Sequence, residues 1–523
     1  MPGTDLAALA ADAYIYGFPL VYDLSVVERS TTAGMGPLPP APFNTFAHST
    51  RFADPGAKFV SVSNDTLHSV AQLDLSAGPL LLRVPDTGGR YHVLQFVDAW
   101  SNTFAYVGRR ATGTAAATWL IEPPGWSGHT FSGVPVISSP TAVATIVGRF
   151  ACAGPDDPGH SEDVSRVAGL QERLTLRPLE PDGTAPSGLP LPDPEVSGPL
   201  RFFERLRVWM AAFPPAAPEV AYQEAFLPLG LLTTTGPSPY RDPEPELLRA
   251  LEKGAAAGKE RIEAASGPGH GVQGHGDPAY DELDYEDADD YPDPGARAAF
   301  TVPGDGPGAG GAGAVGTETA AVTGDPEGVA AGVAAVVDAA RAAVRGWEMT
   351  LHLSDYNLDH FGPGTIDSPL WRIPDRAAAH LTRAVAARTA LWGNHAYEAA
   401  HAHTFTDATG ARLTGERAYV LRFDSPPPVK AFWSVTMYDA EEYLLVSNPI
   451  GRYAIGDRTP GLRYGDDGSL TISLRHDAPD DPAERANWLP TPAGPFRPVL
   501  RLYEPCDEVL DDTWRPPPIV PVT

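Results

Sequence analysis

From Phe59 to Gly113 the chain alternates apolar and polar residues with a period of two: FVSVSNDTLHSVAQLDLSAGPLLLRVPDTGGRYHVLQFVDAWSNTFAYVGRRATG. That period puts one face of a strand in a core and the other toward water. Turn chemistry such as Pro85-Asp86-Thr87-Gly88-Gly89 breaks the run, so the spacing predicts successive antiparallel strands. Three places in it set polar groups among large apolar ones: Asn64-Asp65-Thr66 with His68, then Asp98, then Asn102. These are the first candidates for a site.

At 523 residues the chain exceeds what one hydrophobic core serves, and two or three domains are expected. It carries 38 Lys plus Arg against 66 Asp plus Glu, a formal charge of -28. A field of that sign repels phosphate backbones and anionic lipid, so neither nucleic acid nor a membrane is an expected partner. Cys152 and Cys506, the two cysteines, have no metal-ligand spacing and read as ordinary thiols. The first eighteen residues contain Asp5 and Asp12, no basic region and no unbroken apolar run, unlike a secretory signal. No span reaches the roughly 20 apolar residues of a membrane helix, and a cytoplasmic protein is the simplest expectation. Composition leaves the oligomeric state open, a homo-oligomer included.

Taken in order, Thr4 is positioned to cap a helix bearing Leu6, Leu9, Ala10, Ala13 and Tyr14, which Pro19 should kink or end and which should pack on the strands that follow. Strand-like runs continue at Trp119–Ile121 and Val134–Ile146. Ser161 then reads as the N-cap of a short helix with Glu162 and Asp163 in its first turn and Val164, Val167, Leu170 and Leu174 as its stripe. Residues 200–266 change to helical spacing, carried by Phe202, Phe203, Leu206, Trp209 and Met210 and then by Leu247, Leu248 and Leu251. Between 267 and 328 the chain is rich in Gly, Ala and Pro, and Asp277 to Asp293 holds nine carboxylates and no base. Such a composition cannot bury enough apolar surface to offset its ordering entropy, so disorder is expected. Helical spacing resumes at Val329–Trp347 and Pro374–Ala400. After Gly410 the period returns to two, at Arg417–Phe423, Val429–Tyr438, Tyr443–Val446, Ser469–Leu474 and Val499–Tyr503, as in a second all-β sandwich.

Two blocks resemble known families. FNTFAHSTRF, SNDTLHS, LDLSAGPLLLRVPDTGGRYHVLQFVDAWSNTFAYVGRRATG and EDVSRVAGLQ resemble domain of unknown function 1254. LTGERAYVLRF, PPVKAFWSVTMYD, NPIGRYAIGDR, DDGSLTISLRHDAP, NWLPTPAGPF, LRLYEP and TWRPPP resemble its usual companion, domain of unknown function 1214. The resemblance implies a mainly β fold with a helical middle module. An immunoglobulin-like sandwich with its leading helix would span 1–199, helices 200–266 and 329–400, and a jelly-roll-like sandwich 401–523, with the acidic insert at 267–328. It implies no settled reaction. Relatives tend to have Asn-Asp-Thr-Leu-Tyr where this chain has Asn64-Asp65-Thr66-Leu67-His68, which puts an imidazole that titrates near neutrality in place of a phenol.

Asp65 is a candidate general base or substrate anchor and His68 a proton carrier, since the two could meet across a strand end. A turn that satisfies its own backbone through Asn64, Asp65 and Thr66 would look the same. Asp98, Trp100 and Asn102 alternate, as residues on one strand face do, and would line a pocket or a domain junction. In Phe432–Tyr438, Trp433, Val435 and Met437 should point into a core, with Phe432, Ser434, Thr436 and Tyr438 opposite. Arg452 beside Tyr453, and Asn487-Trp488, are candidates to hold a carboxylate or to staple a long loop. His395, His401 and His403 are a weaker candidate set for a divalent metal. No cofactor motif, phosphate loop or Gly-x-Ser-x-Gly nucleophile occurs.

These residues point to an enzyme acting on a small organic molecule between two sandwiches by hydrolase or lyase-type acid/base chemistry. Asp65 and His68 would be acid/base groups, Asp98 the orienter, and Asn64, Thr66, Trp100, Asn102, Arg452, Asn487 and Trp488 the pocket. The alternatives are a binding protein for a small ligand or carbohydrate that uses Trp100, Trp433 and Trp488, and a scaffold that recruits a basic partner through the acidic insert.

Overall fold

The structure is a computed structural model that describes residues 5–56, 61–128, 131–180, 185–266 and 346–522. The expected acidic insert, and the helix expected from Val329 up to its last two residues, lie outside the described residues.

The alternating stretch opens a sandwich of nine strands: β1 (Phe46–His48), β2 (Thr66–Asp74), β3 (Leu80–Val84), β4 (His92–Asp98), β5 (Thr103–Gly108), β6 (Ala117–Glu122), β7 (Val136–Ser138), β8 (Val143–Ala151) and β9 (Thr175–Pro178). One sheet has the order β1-β2-β8-β4-β5, the other β7-β6-β3-β9. Leu67, Leu73, Leu82, Phe96, Ile121, Ile146 and Phe150 fill the space between them. The period of two holds, but the alternate positions of the five-stranded sheet do not face water. β4 and β5 are buried at every residue, because the outer face of this sheet is covered twice over.

Half of that face is covered by helices. α1 (Leu6–Thr32) is capped by Asp5 rather than Thr4: the Asp5 carboxylate accepts from the amides of Ala7 and Ala8 at 3.0 and 3.2 Å. The helix continues through Pro19. Two shorter helices follow within the sandwich, α2 (Arg109–Thr112) and α3 (His160–Gln171). Ser161 is not the N-cap of α3, which begins at His160 after Gly159; Asp163 instead reaches back to Arg90 and the Ala153 amide. Then come α4 (Leu200–Ala212), α5 (Val220–Glu224), α6 (Pro245–Ser266) and α7 (Arg376–Ala390). α1 shares a core with α4, α6 and α7 through Leu20, Leu24, Phe203, Leu206, Leu251 and Val385, and this bundle seals the sheet through Val70, Val97, Val143 and Val147. The leading helix therefore belongs to the helical module, with the whole module rather than α1 alone lying on the sandwich. Where α6 crosses α1, a Cβ on Gly254 would come within 2.3 Å of the Ala10 Cβ, so only glycine allows the approach.

The second sandwich comprises β10 (Glu348–Met349), β11 (Ala399–His403), β12 (Tyr419–Phe423), β13 (Val429–Asp439), β14 (Ala454–Gly456), β15 (Leu470–Arg475), β16 (Trp488–Pro490), β17 (Phe496–Pro505) and β18 (Ile519–Pro521). Its sheets have the orders β10-β11-β17-β13-β14 and β16-β15-β12-β18. Trp433, Val435 and Met437 point into the core with Leu421, Ile472 and Leu500, as the alternation requires. Three expectations fail here. The helix expected to run to Ala400 stops at Ala390, Trp392 adopts φ 58°, and 399–403 become a strand, so the division placed after residue 400 falls inside β11. Tyr443–Val446 is irregular, with Tyr443 at φ 57°. Trp347 is no helix end: its indole is buried in this sandwich and donates to the Pro517 carbonyl at 2.7 Å.

The other half of the first sandwich's outer face meets the β10-β11-β17-β13-β14 sheet. Tyr91, Val93, Tyr106 and Ala151 pack there against Tyr397, Ala399, Phe432 and Tyr503. Among the described residues no helix is long and apolar enough to cross a membrane.

Candidate functional site

Two clefts form where layers meet, and each holds part of the predicted set. The first lies between the two sandwiches. It encloses about 510 Å³ counting its open mouth, and its walls include Asn64, Asp65 and Cys152 from one side and Ser434, Arg452 and Arg458 from the other.

Asp65 sits immediately before β2, where the chain leaves a turn and its side chain is carried toward β13 and β17. One carboxylate oxygen accepts from the Ser63 hydroxyl at 2.5 Å and the Tyr503 hydroxyl at 2.6 Å; the other accepts from Ser434 at 2.5 Å. Burial pushes the carboxyl up, but the Arg501 guanidinium and the three hydroxyls outweigh it and hold Asp65 below the usual carboxylate range. Arg501 donates to the Thr436 hydroxyl, the Tyr438 hydroxyl and the Ser61 carbonyl at 2.8–2.9 Å, and Tyr438 donates to the Val62 carbonyl at 2.6 Å. The turn before β2 is thus clamped to the second sandwich. Asn64 donates to the Ala53 carbonyl at 2.6 Å, and Thr66 is buried beside Ser63.

His68 does not meet Asp65 directly. It projects from β2 across from Arg149 on β8, and burial together with the Arg149 charge lowers it to about 4. The imidazole is neutral at pH 7, which corrects the expectation of a group titrating near neutrality. Arg149 donates to Gln95, Asn394 and the Trp392 carbonyl, all uncharged acceptors. Burial likewise holds His401 at about 3, with the Arg501 charge adding to it.

Among the described residues of the cleft, neither Cys152 nor Ser434 is an activated nucleophile. Burial pushes the Cys152 thiol up to about 12, and Ser434 donates to a carboxylate too weak as a base to deprotonate it. Arg458 is one of two arginines at the cleft wall. Its terminal nitrogens donate to the Cys152 and Asp65 carbonyls at 3.0 and 2.8 Å, its central carbon lies 3.6 Å from the Phe432 ring centroid, and among the described residues no carboxylate hydrogen-bonds to it. Arg452 is already engaged: it bonds Asp156 at 2.5 Å and the Trp488 and Ala486 carbonyls.

The remaining predicted groups divide differently. Trp488 is fully buried with its indole donating to the Arg475 carbonyl, and Asn487 is spent on Arg463 and the Thr471 carbonyl. Both staple a loop. Trp100 and Trp433 are buried as well, each in the wall of one of the two clefts. His395 bonds the Tyr106 hydroxyl at 3.0 Å and stacks on Tyr397, while His403 pairs with Glu348 at 3.3 Å. Among the described residues no group of three ligand-type side chains converges for a metal.

Asp98, Trp100 and Asn102 line a second pocket, of about 340 Å³ counting its mouth, between the first sandwich and the helical module. They are not on one strand. β4 ends at Asp98, and its carboxylate closes a tight turn by accepting from the Trp100 amide and from the Asn102 amide and side chain at 2.9–3.2 Å. Asp98 cannot orient Asp65: Asp98 pairs with Ala144 and Thr66 with Ala151, and seven residues along β8 separate them by roughly 23 Å. Arg383, His360, Asp359 and Glu219 complete this pocket.

Arg149, Arg383 and Arg501 escaped the sequence reading. The available signal was a lone arginine in an otherwise apolar run, as in VATIVGRFA, HLTRAVAA and VLRLY, where a solvated charge has no reason to be.

Two sandwiches joined through a helical module, with polar clefts at the junctions, define the class of protein. Residues 43–178 match the model of the family described as protein of unknown function DUF1254, and residues 398–507 that of DUF1214. The chain thus carries a match to each of these two domains, in that order. The VPA0106 protein of Vibrio parahaemolyticus, known from a crystal structure, is 21% identical, with 99% of this chain and 100% of that one covered at a TM-score of 0.62, a likeness of fold. An uncharacterised protein of Burkholderia cenocepacia aligns at 10% identity over 99% and 94% of the two chains, with a TM-score of 0.35. No curated protein matches the chain.

Proposed function

We propose that the protein recognises a small anionic organic molecule in the cleft between its two β-sandwiches. The observation that carries the reading is Arg458, a guanidinium at the cleft wall that donates to two carbonyls and lies on an aromatic face; Asp457 beside it feels its charge, but among the described residues no carboxylate hydrogen-bonds to it. A carboxylate on the ligand supplies the missing charge, and a guanidinium can bind both of its oxygens. Acid/base turnover by Asp65 and His68 is the weaker reading, because the carboxylate has three hydroxyl donors and a depressed pKa while the imidazole is neutral. A ligand site whose polar wall is fixed in advance loses little entropy on binding, and the double clamp at Asp65 provides that rigidity. A cytoplasmic setting fits this reading.

Calorimetric titration with benzoate, and with benzamide as its neutral counterpart, tests the proposal. Saturable binding of benzoate alone is expected, weakened about tenfold or more in Arg458→Gln and largely retained in Arg458→Lys. Equal binding of both compounds, or unchanged benzoate affinity in Arg458→Gln, would refute it.

A further inference from the structure

The second pocket contains a cation with nothing to hold. Arg383, on α7, is 6% exposed, and its Nε and Nη2 are buried without a hydrogen-bond partner. Those two nitrogens form the side-on edge of a guanidinium, whose parallel N–H bonds match the two oxygens of a carboxylate. Left unmade, these bonds leave the desolvation cost of two buried donors uncompensated. Aromatic rings hold the group in place: its central carbon lies 5.6 Å from the Trp100 ring centroid and 5.8 Å from that of Tyr16. The other acidic groups there are already taken. Glu219 is paired with Arg376 and His380, and Asp359 with Arg376 at 2.8–2.9 Å.

We infer that this pocket, between the first sandwich and the helical module, is a binding site for a short monocarboxylic acid, anchored side-on by Arg383 and contacted by Asp98, Asn102 and His360. Nothing in the cleft between the sandwiches contributes to it, so the site stands apart from the proposed function. A single negative charge suits it better than a phosphate or a dicarboxylate, because Asp98, Asp359 and Glu219 surround the fork and repel additional charge. Burial holds the Asp98 carboxyl above its usual range. Trp100, Tyr356 and Pro215 supply apolar wall, enough for a short alkyl chain.

Soaking crystals of the full chain in methylselenoacetate, and locating selenium by its anomalous signal, reads the site directly. Selenium within contact distance of Arg383 is expected. Selenium at Arg458 alone, or at neither arginine, would overturn the inference, and the first of these outcomes would leave the proposed function standing. Calorimetry with acetate then checks the anchor. Arg383→Lys retains the charge and lacks the fork, and is expected to bind at least tenfold more weakly at an unchanged circular dichroism spectrum. If that variant fails to fold, Asn102→Ala replaces it, with an expected weakening of severalfold. Acetate affinity equal to wild type in the folded variant would refute the role of the fork.

Discussion

Replacing Asp65 with asparagine tests whether the two sandwiches are locked together through one carboxylate. Asp65 accepts three hydroxyl hydrogen bonds at 2.5–2.6 Å, two of them, from Ser434 and Tyr503, across the junction. Hydrogen bonds to a charged group contribute about 1.5–3 kcal/mol each. An amide oxygen keeps up to two of the three at neutral strength, and Arg501 loses the carboxylate that balances its buried charge. The expected loss is about 3–5 kcal/mol, the range seen when one partner of a buried pair is removed. Tyr503→Phe deletes one donor and should cost about 1.5–3 kcal/mol. Urea unfolding at pH 7.5, followed by tryptophan fluorescence, measures both. The pH dependence follows from the direction of the shift. The folded pKa lies below the unfolded value of about 3.9, so the clamp contributes fully above that pH and is lost as pH falls through the folded pKa. The gap between wild type and Asp65→Asn should therefore be level from about pH 5 to 8 and close below about pH 4. A loss under about 1 kcal/mol at pH 7.5, or a gap unchanged at pH 3.5, would show that this carboxylate is no clamp.

Burial and neighbouring arginines lower His68 to about 4 and His401 to about 3, so the unfolded chain takes up protons first and stability falls as pH drops from about 6.5 toward 4. The double variant His68→Gln, His401→Gln should lose less stability between pH 7.5 and pH 5 than wild type does; identical losses in urea unfolding would contradict the neutral buried imidazoles. Gly254→Ala should lower the thermal midpoint, because the new methyl meets the Ala10 Cβ at 2.3 Å and its backbone at 2.8 Å, an overpacking cost of about 1–3 kcal/mol against a helix-propensity gain of up to about 1. A midpoint that rises would mean that α1 and α6 do not touch there.

The strands were legible because both sandwiches repeat an apolar residue at every second position over several residues, as in Leu94 and Phe96 or Trp433, Val435 and Met437. α4 was legible from Phe202, Phe203, Leu206, Trp209 and Met210, all buried on the face their spacing defines. Short elements were not: β10, β14, β16 and β18 have two or three residues each, too few for a period to show. β11 was hidden by its composition, since Ala-Ala-His-Ala-His follows a helix and carries no β-branched residue. At the candidate site the sequence singled out Asn64, Asp65 and Arg452, which do share a cleft, and Asp98, Trp100 and Asn102, which share the other. It joined Asp98 to Asp65 wrongly, because polar residues in neighbouring strands carry no mark of the strand end at which they lie.

Local pattern alone determined the architecture of this chain: two β frameworks, the helices between them, and the motifs that tie each end to its family. Period and turn chemistry act between residues a few positions apart, so they survive in a one-dimensional record. What only the tertiary structure decided is the chemistry. Ser434 and Tyr503 reach Asp65 across more than 360 positions of sequence, and it is their donation that makes a possible base into a fixed anion. Arg383 and Arg458 stand out only once packing shows that, among the described residues, no carboxylate hydrogen-bonds to either guanidinium. Protonation and pairing depend on burial and on partners brought together by packing, and those are properties of the assembled layers rather than of any stretch of chain.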